Sequence, residues 1–595
     1  MIKTSPTYTK INDGLTHLSF LLWAWMALVF FQERLYSDSG FFISKVIHYE
    51  TFWMELNRFM RVFSQWLPLT CIKLGFDLRT VLQAYSVGHV VFFYLIYLIA
   101  RYRYQHHYIG WLLILTQTLG ILWGFCAPGY ELYYATAFLA LFALEMYRNQ
   151  SGFWHYILLS LFLITMVINY QLIIFMIAGV LLMHFKQYGI RYMRQYVFCC
   201  LIILLCFLFK QSLTAHSYEI AKMQNFLHNL TNRSYGWTDY GLPLLKFYRQ
   251  FYIEVWGLAF VTTILYIRQR KFSNALGFIL FLVLTQYIIA LTYPGIRHSR
   301  YQEQCYYPLI FVACFPLLFQ ISNQLSQKAR WFLSLGFFVL ILYRFYAISV
   351  HIKPFTHRVD YMHRIAEATQ AIEGNKFIMH EYSWNPLFGG TSFTLGMESM
   401  LISALSPTRK TIQIIRDSEW DSGANARLLQ DSSMYMFSFR SFYDRLDSMH
   451  LHKEVNTRYF DFPAGRYQYL SGGAEPLQTI QTLQQNLSIK TYVPRPCKAG
   501  EQINFLIKMN NLGKKALSGT QIKIGYHWWK EGKIVHWESY RNPLEIDLQP
   551  LSTYYQYVLI DIPKEKGNYE LQIDPIAGDS LGWMQYDRRV PVLVN

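Results

Sequence analysis

Three short stretches of this chain carry side chains able to do chemistry at a membrane boundary. The first runs from Gln32 to Arg79 and bears Asp38. The second is Ala-Pro-Gly-Tyr-Glu-Leu at 127–132, whose one charge is Glu131. The third, at 294–303, holds Arg297, His298, Arg300 and Tyr301. A carboxylate at the water–lipid boundary can take a proton from a hydroxyl or amine. Guanidinium groups can hold a phosphate and match its charge. A lipid-linked phosphate stays at the headgroup plane, so a catalyst for it needs a base and cations at that plane. Each residue also has a plainer reading. Ser37, Asp38 and Ser39 are all helix-capping types, so Asp38 can simply start a helix. The arginines can pair with lipid headgroups or with acids of a soluble domain.

The elements that position these residues follow from periodicity. Within the first stretch, Phe41, Phe42, Val46 and Ile47 recur at helical spacing, as do Leu56, Phe59, Met60, Phe63 and Leu67. Charges lie between them, which predicts two short amphipathic helices on the membrane surface. Around the three stretches, apolar runs predict about eleven spans: 15–31, 80–100, 108–126, 133–147, 154–168, 171–185, 195–209, 251–267, 273–293, 304–321 and 331–350. The pair 154–168 and 171–185 is short, and reads as two spans or one broken pair around Asn169 and Tyr170. Lys3 and Lys10 precede the first run without a small-residue cleavage site, so that run reads as an uncleaved span.

Charge orders the spans. Arg101, Arg103, Arg148, Lys186, Arg191, Arg194, Arg268, Arg270, Lys271, Lys328 and Arg330 all fall on one side, the cytoplasm by the positive-inside rule. The N-terminus is then inside and the C-terminal region outside. The net charge of +17 reflects these loops rather than a nucleic-acid partner. The Arg297–Arg300 segment breaks the rule, with cations on the outer face that need an anion. Of the eight cysteines only Cys497 lies in the soluble part, and their spacing gives neither a disulfide framework nor a zinc site.

After about Val350 the chain reads as soluble protein. Residues 351–485 alternate helix and strand: His357–Ile372, Lys376–His380, Phe393–Leu405 and Thr411–Ile415, a small α/β layer. Residues 486–595 carry short strands at Leu487–Val493, Gln502–Asn510, Gln521–Trp529, Lys533–Tyr540, Thr553–Ile562, Asn568–Asp574 and Leu581–Tyr586. That spacing argues an Ig-like β-sandwich. Trp528, Trp529, Trp537 and Trp583 read as core and sheet-face packing, with a sugar platform as the other use.

Asp38 in an amphipathic first outer loop, Glu131 after Pro128-Gly129-Tyr130, and Arg297-His298-Ser299-Arg300-Tyr301 before Tyr306-Tyr307-Pro308 together resemble the GT-C superfamily of integral-membrane glycosyltransferases. The resemblance is to its protein O-mannosyltransferase and aminoarabinose-transferase type, and it covers about residues 10–350. Asn510-Asn511-Leu512-Gly513, Ile524-Gly525-Tyr526-His527-Trp528 and Gly567-Asn568-Tyr569-Glu570-Leu571 look like a sandwich module of bacterial surface and sugar-modifying proteins. The family's adjacent acid pair is absent: Ser39 follows Asp38.

The resemblance implies a polytopic α-helical GT-C-like membrane domain (1–350), a mixed α/β extracytoplasmic region (351–485) and an Ig-like β-sandwich (486–595). The setting it implies is a bacterial cytoplasmic membrane, with the C-terminal domains periplasmic. It further implies an inverting transfer from a polyprenyl-phosphate sugar to an acceptor glycan, lipid or protein. Asp38 would be the base, and Arg297 and Arg300 would hold the phosphate beside His298 and Tyr301. Glu131 would orient the acceptor or help to hold a divalent cation. Two other classes stay open: a lipid-linked-glycan transporter, and a GT-C-like scaffold without catalysis. The observation that separates them is whether Asp38, Glu131 and the Arg297–Arg300 loop share one site.

Overall fold

A computed structural model describes residues 6–54, 58–148, 150–170, 172–210, 212, 217–231, 242–292, 299–379, 394–416, 435–436, 451–452, 455–469, 487–493, 497–513, 516–517, 519, 522–537, 541–544, 547–577, 582–583 and 589–595. The chain divides into two compact units. One comprises 1–373, 393–412 and 435–463; the other comprises 374–392, 413–434 and 464–595.

The first unit is helical. In chain order its helices are α1 (Pro6–Val29), α2 (Asp38–Tyr49), α3 (Val62–Leu74), α4 (Leu78–Leu98), α5 (Ile109–Thr118), α6 (Glu131–Tyr147), α7 (Phe153–Asn169), α8 (Ile173–Tyr188) and α9 (Met193–Phe209). They are followed by α10 (Ser217–Thr231), α11 (Leu242–Phe251), α12 (Ile253–Arg268), α13 (Phe272–Thr292), α14 (Ser299–Pro316), α15 (Gln327–His351), α16 (Lys353–Ala368) and α17 (Leu395–Ser403). Among the described residues, four helical stretches are long and apolar enough to cross a membrane: Leu78–Arg103, Ile173–Phe209, Phe272–Leu291 and Gln327–Ala371. A fifth is counted if the pair Leu245–Phe251 and Ile253–Arg268, bent by 94°, is one span. The expected count of eleven is therefore not reached by length and composition. Ile109–Thr118, Phe153–Asn169 and Tyr306–Ile321 are apolar but shorter. At 1.5 Å per residue, the ten residues of α5 rise only about 15 Å, half a hydrocarbon core.

The two ends of this unit differ. Near the start of α1, Arg101 grips Asp13 with two nitrogens at 2.8–2.9 Å. There Tyr8 meets Tyr108 and Ser334, and Asn12 accepts from Trp111. The basic loops gather at this end: Arg148 lies 5.6 Å over the Tyr104 ring, and Lys271 donates to Gln324. The residues that follow α1, some 36 Å away along its axis, lie at the other end, with Glu131 and the start of α14.

Two helices form within the first loop, as the spacing predicts, but α2 is covered by protein on every side. Every residue from Ser39 to Ile47 is buried. The cover comes from sequence far away. α17 packs on α2, and Asn456 donates to the Ile47 carbonyl (2.8 Å) and to Glu50. Arg458 and Tyr459 likewise take up the Ile72 and Phe76 carbonyls at the end of α3. Backbone groups that water would satisfy on a surface helix are satisfied here by protein. Lys45, fully buried, sets its ammonium over the rings of Phe41, Tyr49 and Trp53 at 5.3–5.8 Å.

The second unit is built of strands. β1 (Lys376–Met379) pairs in parallel with β2 (Gln413–Arg416). A short hairpin-like pair, β3 (Tyr435–Met436) and β4 (Leu451–His452), lies in the first unit, and β5 (Gln468–Tyr469) is parallel to β1. Two antiparallel sheets follow. One joins β6 (Leu487–Tyr492), β7 (Gln502–Asn511) and β11 (Thr553–Asp561). The other joins β8 (Ile522–Lys530), β9 (Lys533–Trp537), β10 (Asn542–Pro543), β12 (Gly567–Ala577), β13 (Gly582–Trp583) and β14 (Arg589–Val594).

Alternate residues of β7 and β11 turn inward, and both sheets share a core of Phe505, Ile507, Met509, Tyr526, Trp528, Val558 and Leu571. The turn between β8 and β9 needs two left-handed residues, Glu531 (φ 51°) and Gly532 (φ 76°). Trp528 is a core residue whose indole donates to the Asp561 carbonyl (2.8 Å). Trp529 stacks under Arg589 and donates to Gln572. The side chains of Trp537 and Trp583 lie outside the described residues.

His527, 3% exposed and 3.9 Å from Asp574, is pulled down to about 4 by burial. Its folded value lies below the unfolded 6.5, so the stabilisation is intact above pH 6.5 and is lost as pH falls toward 4. A thermal unfolding series across that window should show a loss of roughly 2 kcal/mol. His527→Phe should flatten this part of the pH dependence.

Candidate active site

Asp38 opens α2 at the end of the unit opposite the basic loops. The helix start is unusual. Ser37, the N-cap, has φ 55° and ψ −129°, and its hydroxyl makes no capping bond. Asp38 is thus the first helical residue, not the cap. It is half-buried, and among the described residues its carboxylate has no hydrogen bond or ion pair.

Tyr85, from α4, is the centre of the cluster. The charges of Arg34, Arg61 and Asp38 all act on it, and Ser39 faces it. Gly129 closes the space, since a Cβ there would stand 2.9 Å from the Tyr85 hydroxyl and 3.9 Å from Ser39 Oγ. Ser37 Oγ and Arg34 Nε are buried at this spot with no hydrogen-bond partner among the described residues, and the Ser39 and Tyr85 hydroxyls face one another. Buried orphans are uncommon in proteins, and two beside one half-exposed acid are what a polar ligand would satisfy.

Arg34 adds a charge. Its other nitrogens donate to the carbonyls of Phe125 (2.8 Å) and Ser86 (3.4 Å), and it lies 4.4 Å over the Phe125 ring. Burial pulls this guanidinium down to about 10. No carboxylate pairs with it among the described residues, so its counter-charge is open.

Glu131 is committed differently. It starts α6 and is held by Arg61 Nε, with Arg58 at 3.5 Å. Burial pushes its carboxyl up, but the two guanidinium groups and a backbone N–H outweigh burial and hold it below the ordinary range. Arg61 stacks 3.7 Å over Phe42, and Arg58 lies 5.4 Å over Tyr170. The break between α7 and α8 contributes here. Asn169 accepts from the Met60 N–H (2.8 Å), and Tyr170 bonds Tyr130 (2.6 Å).

The third stretch arrives through Glu303. Its carboxylate accepts from the backbone N–H groups of Leu122, Trp123 and Gly124, and from Tyr252. Burial pushes it up to about 7, against the pull of those donors. The cradle fastens the first turn of α14 to the turn before Glu131. Arg300 and Tyr301 occupy that first turn, their side chains outside the described residues; Arg297 and His298 lie outside them altogether. Glu303→Gln sets an amide against three N–H donors. Unfolding temperature should fall by the equivalent of about 2–3 kcal/mol, a larger loss than for an exposed control such as Glu565→Gln.

Asp38 and Glu131 are therefore brought to one cluster, and the backbone of Arg300 and Tyr301 is anchored at the same end. Arg34, Arg58, Arg61, Tyr85 and Glu303 were not singled out from sequence. The signal for them was charge inside otherwise apolar loops: Glu33-Arg34 directly after a span, and Arg58 and Arg61 three apart. The divalent cation admitted by the resemblance does not fit. Glu131 is spent on two guanidinium groups, and among the described residues Asp38 has no second acid beside it and no group of three or more His, Cys, Asp or Glu side chains could hold a metal. No protein-family profile, curated protein or solved structure matches the chain.

Proposed function

We propose that the chain is a membrane glycosyltransferase of GT-C type that moves a sugar from a polyprenyl phosphate to an extracytoplasmic acceptor. The observation that carries this reading is the cluster at Asp38. Among the described residues, a carboxylate without an ion pair stands beside buried hydroxyls and a buried guanidinium that no carboxylate pairs. An acceptor hydroxyl or amine gives its proton to Asp38 as its lone pair attacks the anomeric carbon. The bond from that carbon to the phosphate oxygen breaks with inversion, and the electron pair leaves on the phosphate. Positive charge at the leaving oxygen stabilises that step. Arg297 and Arg300 supply it in this reading, with Arg34 adding to the local potential.

The finer architecture belongs to the same proposal. The short helices α5, α7 and the Tyr306–Ile321 segment serve as partial spans in an eleven-span arrangement, α5 wholly inside protein and α7 with apolar residues such as Trp154 and Leu161 exposed. The two sheets of the second unit form an Ig-like sandwich outside the membrane, and the basic end faces the cytoplasm. The chain sits in a bacterial cytoplasmic membrane.

A catalytically silent scaffold is the second reading, favoured by the single acid at a position where the family carries two. The deciding experiment is transfer of labelled sugar from a polyprenyl phosphate by the purified, reconstituted protein. Product of inverted anomeric configuration supports the enzyme. Absence of product from hexosyl and pentosyl donors alike supports the scaffold.

A further inference from the structure

Glu398 lies in a helix of otherwise uncharged residues, Leu395–Ser403, and is 2% exposed. A carboxylate there needs a reason, and its partners supply one. One oxygen accepts from the Ser37 backbone N–H (2.8 Å) and from the Thr394 hydroxyl (2.6 Å). The other accepts from Arg358 Nε (2.8 Å), in α16. Ser37 is the residue held at φ 55° and ψ −129°, a region that side-chain-bearing residues rarely adopt. Such a conformation persists only when its surroundings impose it. The hydrogen bond to Glu398 acts directly on the Ser37 N–H, one residue upstream of Asp38.

Packing agrees. A Cβ on Gly40 would stand 3.2 Å from Glu398 Cγ and would collide with the Leu35 carbonyl oxygen. The first turn of α2 is thus wedged between Glu398 and the turn before it. The Arg358 pair fixes the Glu398 carboxylate in a buried setting, where a charge-assisted hydrogen bond is the stronger kind.

We propose that Glu398 is a positioning residue for Asp38. By binding the strained Ser37 peptide, the segment after the last span sets the direction in which the first loop presents its acid. Its catalytic consequence rests on the glycosyltransferase reading. The peptide geometry does not.

The test uses the full-length reconstituted protein. Glu398→Gln keeps the side-chain shape and sets an amide against Arg358. Two readouts apply: kinetics of transfer from a polyprenyl-phosphate sugar, and hydrogen exchange resolved to peptides covering 33–49. The expected result is a kcat lower by about tenfold or more with KM within about twofold, the pattern of lost alignment rather than lost binding. Exchange at residues 37–41 should rise about tenfold while residues 44–49 keep their protection. Unchanged kcat, or a rise in exchange spread evenly over the whole of α2, overturns the proposal. If Glu398→Gln does not fold, Thr394→Val withdraws one donor and spares the Arg358 pair, and is judged by the same two patterns. If the wild-type protein transfers nothing, the enzyme reading has failed, and the exchange measurement alone decides. Equal protection at 37–41 in wild type and variant then rejects the positioning role.

Discussion

Asp38→Asn lowers the transfer rate by about two to four orders of magnitude, the usual worth of a general base, and leaves unfolding temperature unchanged. The second half of that expectation follows from what Asp38 does not do. Among the described residues it caps nothing and pairs with nothing, because Ser37 holds the N-cap position. An isosteric amide therefore breaks no described contact, yet it cannot accept the acceptor's proton. Parallel measurement of initial rates and thermal unfolding checks both halves. A large drop in unfolding temperature would mean that the carboxylate is structural.

Glu131→Ala behaves in the opposite way, with a loss in stability of about 3–5 kcal/mol. Arg58 and Arg61, with side chains 10% and 8% exposed, would be left adjacent and without their shared carboxylate. Removing one member of a buried ionic group takes a counter-charge from both guanidinium groups, and that penalty exceeds the packing loss. The pH dependence gives a second readout. The folded value of Glu131 is held below its unfolded value. Its contribution is therefore fully present above the ordinary carboxylate range and is lost as pH falls through and below it. Acid unfolding of Glu131→Gln should lack that component. Thermal scans from neutral pH down to about pH 3 compare the two proteins.

Some of this architecture was readable beforehand. The spacing of Phe41, Phe42, Val46 and Ile47 signalled a helix, and a helix is there. The C-terminal strands alternate clearly, so β6, β7, β8 and β11 fall within a residue or two of their expected bounds. β14 lies beyond the last expected strand, yet it pairs with β12 over six residues. Length and composition leave the expected eleven spans unconfirmed, for a simple reason. Hydropathy counts apolar runs, whereas crossing a bilayer requires helix length, and α5 spends its apolar residues on burial inside protein.

The environment of α2 was not legible. Its cover is donated by residues about 360 positions away, and no local pattern encodes that. The site was legible as chemistry but not as partnership. Asp38 and Glu131 could be picked out as lone acids in outer loops. That one has no partner among the described residues and the other binds two arginines depends on where Arg58 and Arg61 fold. Glu398 had a signal that passed unused, a single charge in the run Leu-Gly-Met-Glu-Ser-Met-Leu-Ile-Ser.

The central claim is that one carboxylate removes a proton from the acceptor at this site. Single-turnover transfer by Asp38→Ala, with and without added formate, addresses it most directly. The account predicts a rate about a hundredfold or more below wild type that climbs with formate concentration as the small acid fills the vacated place. Wild-type speed from the alanine variant without formate would contradict it.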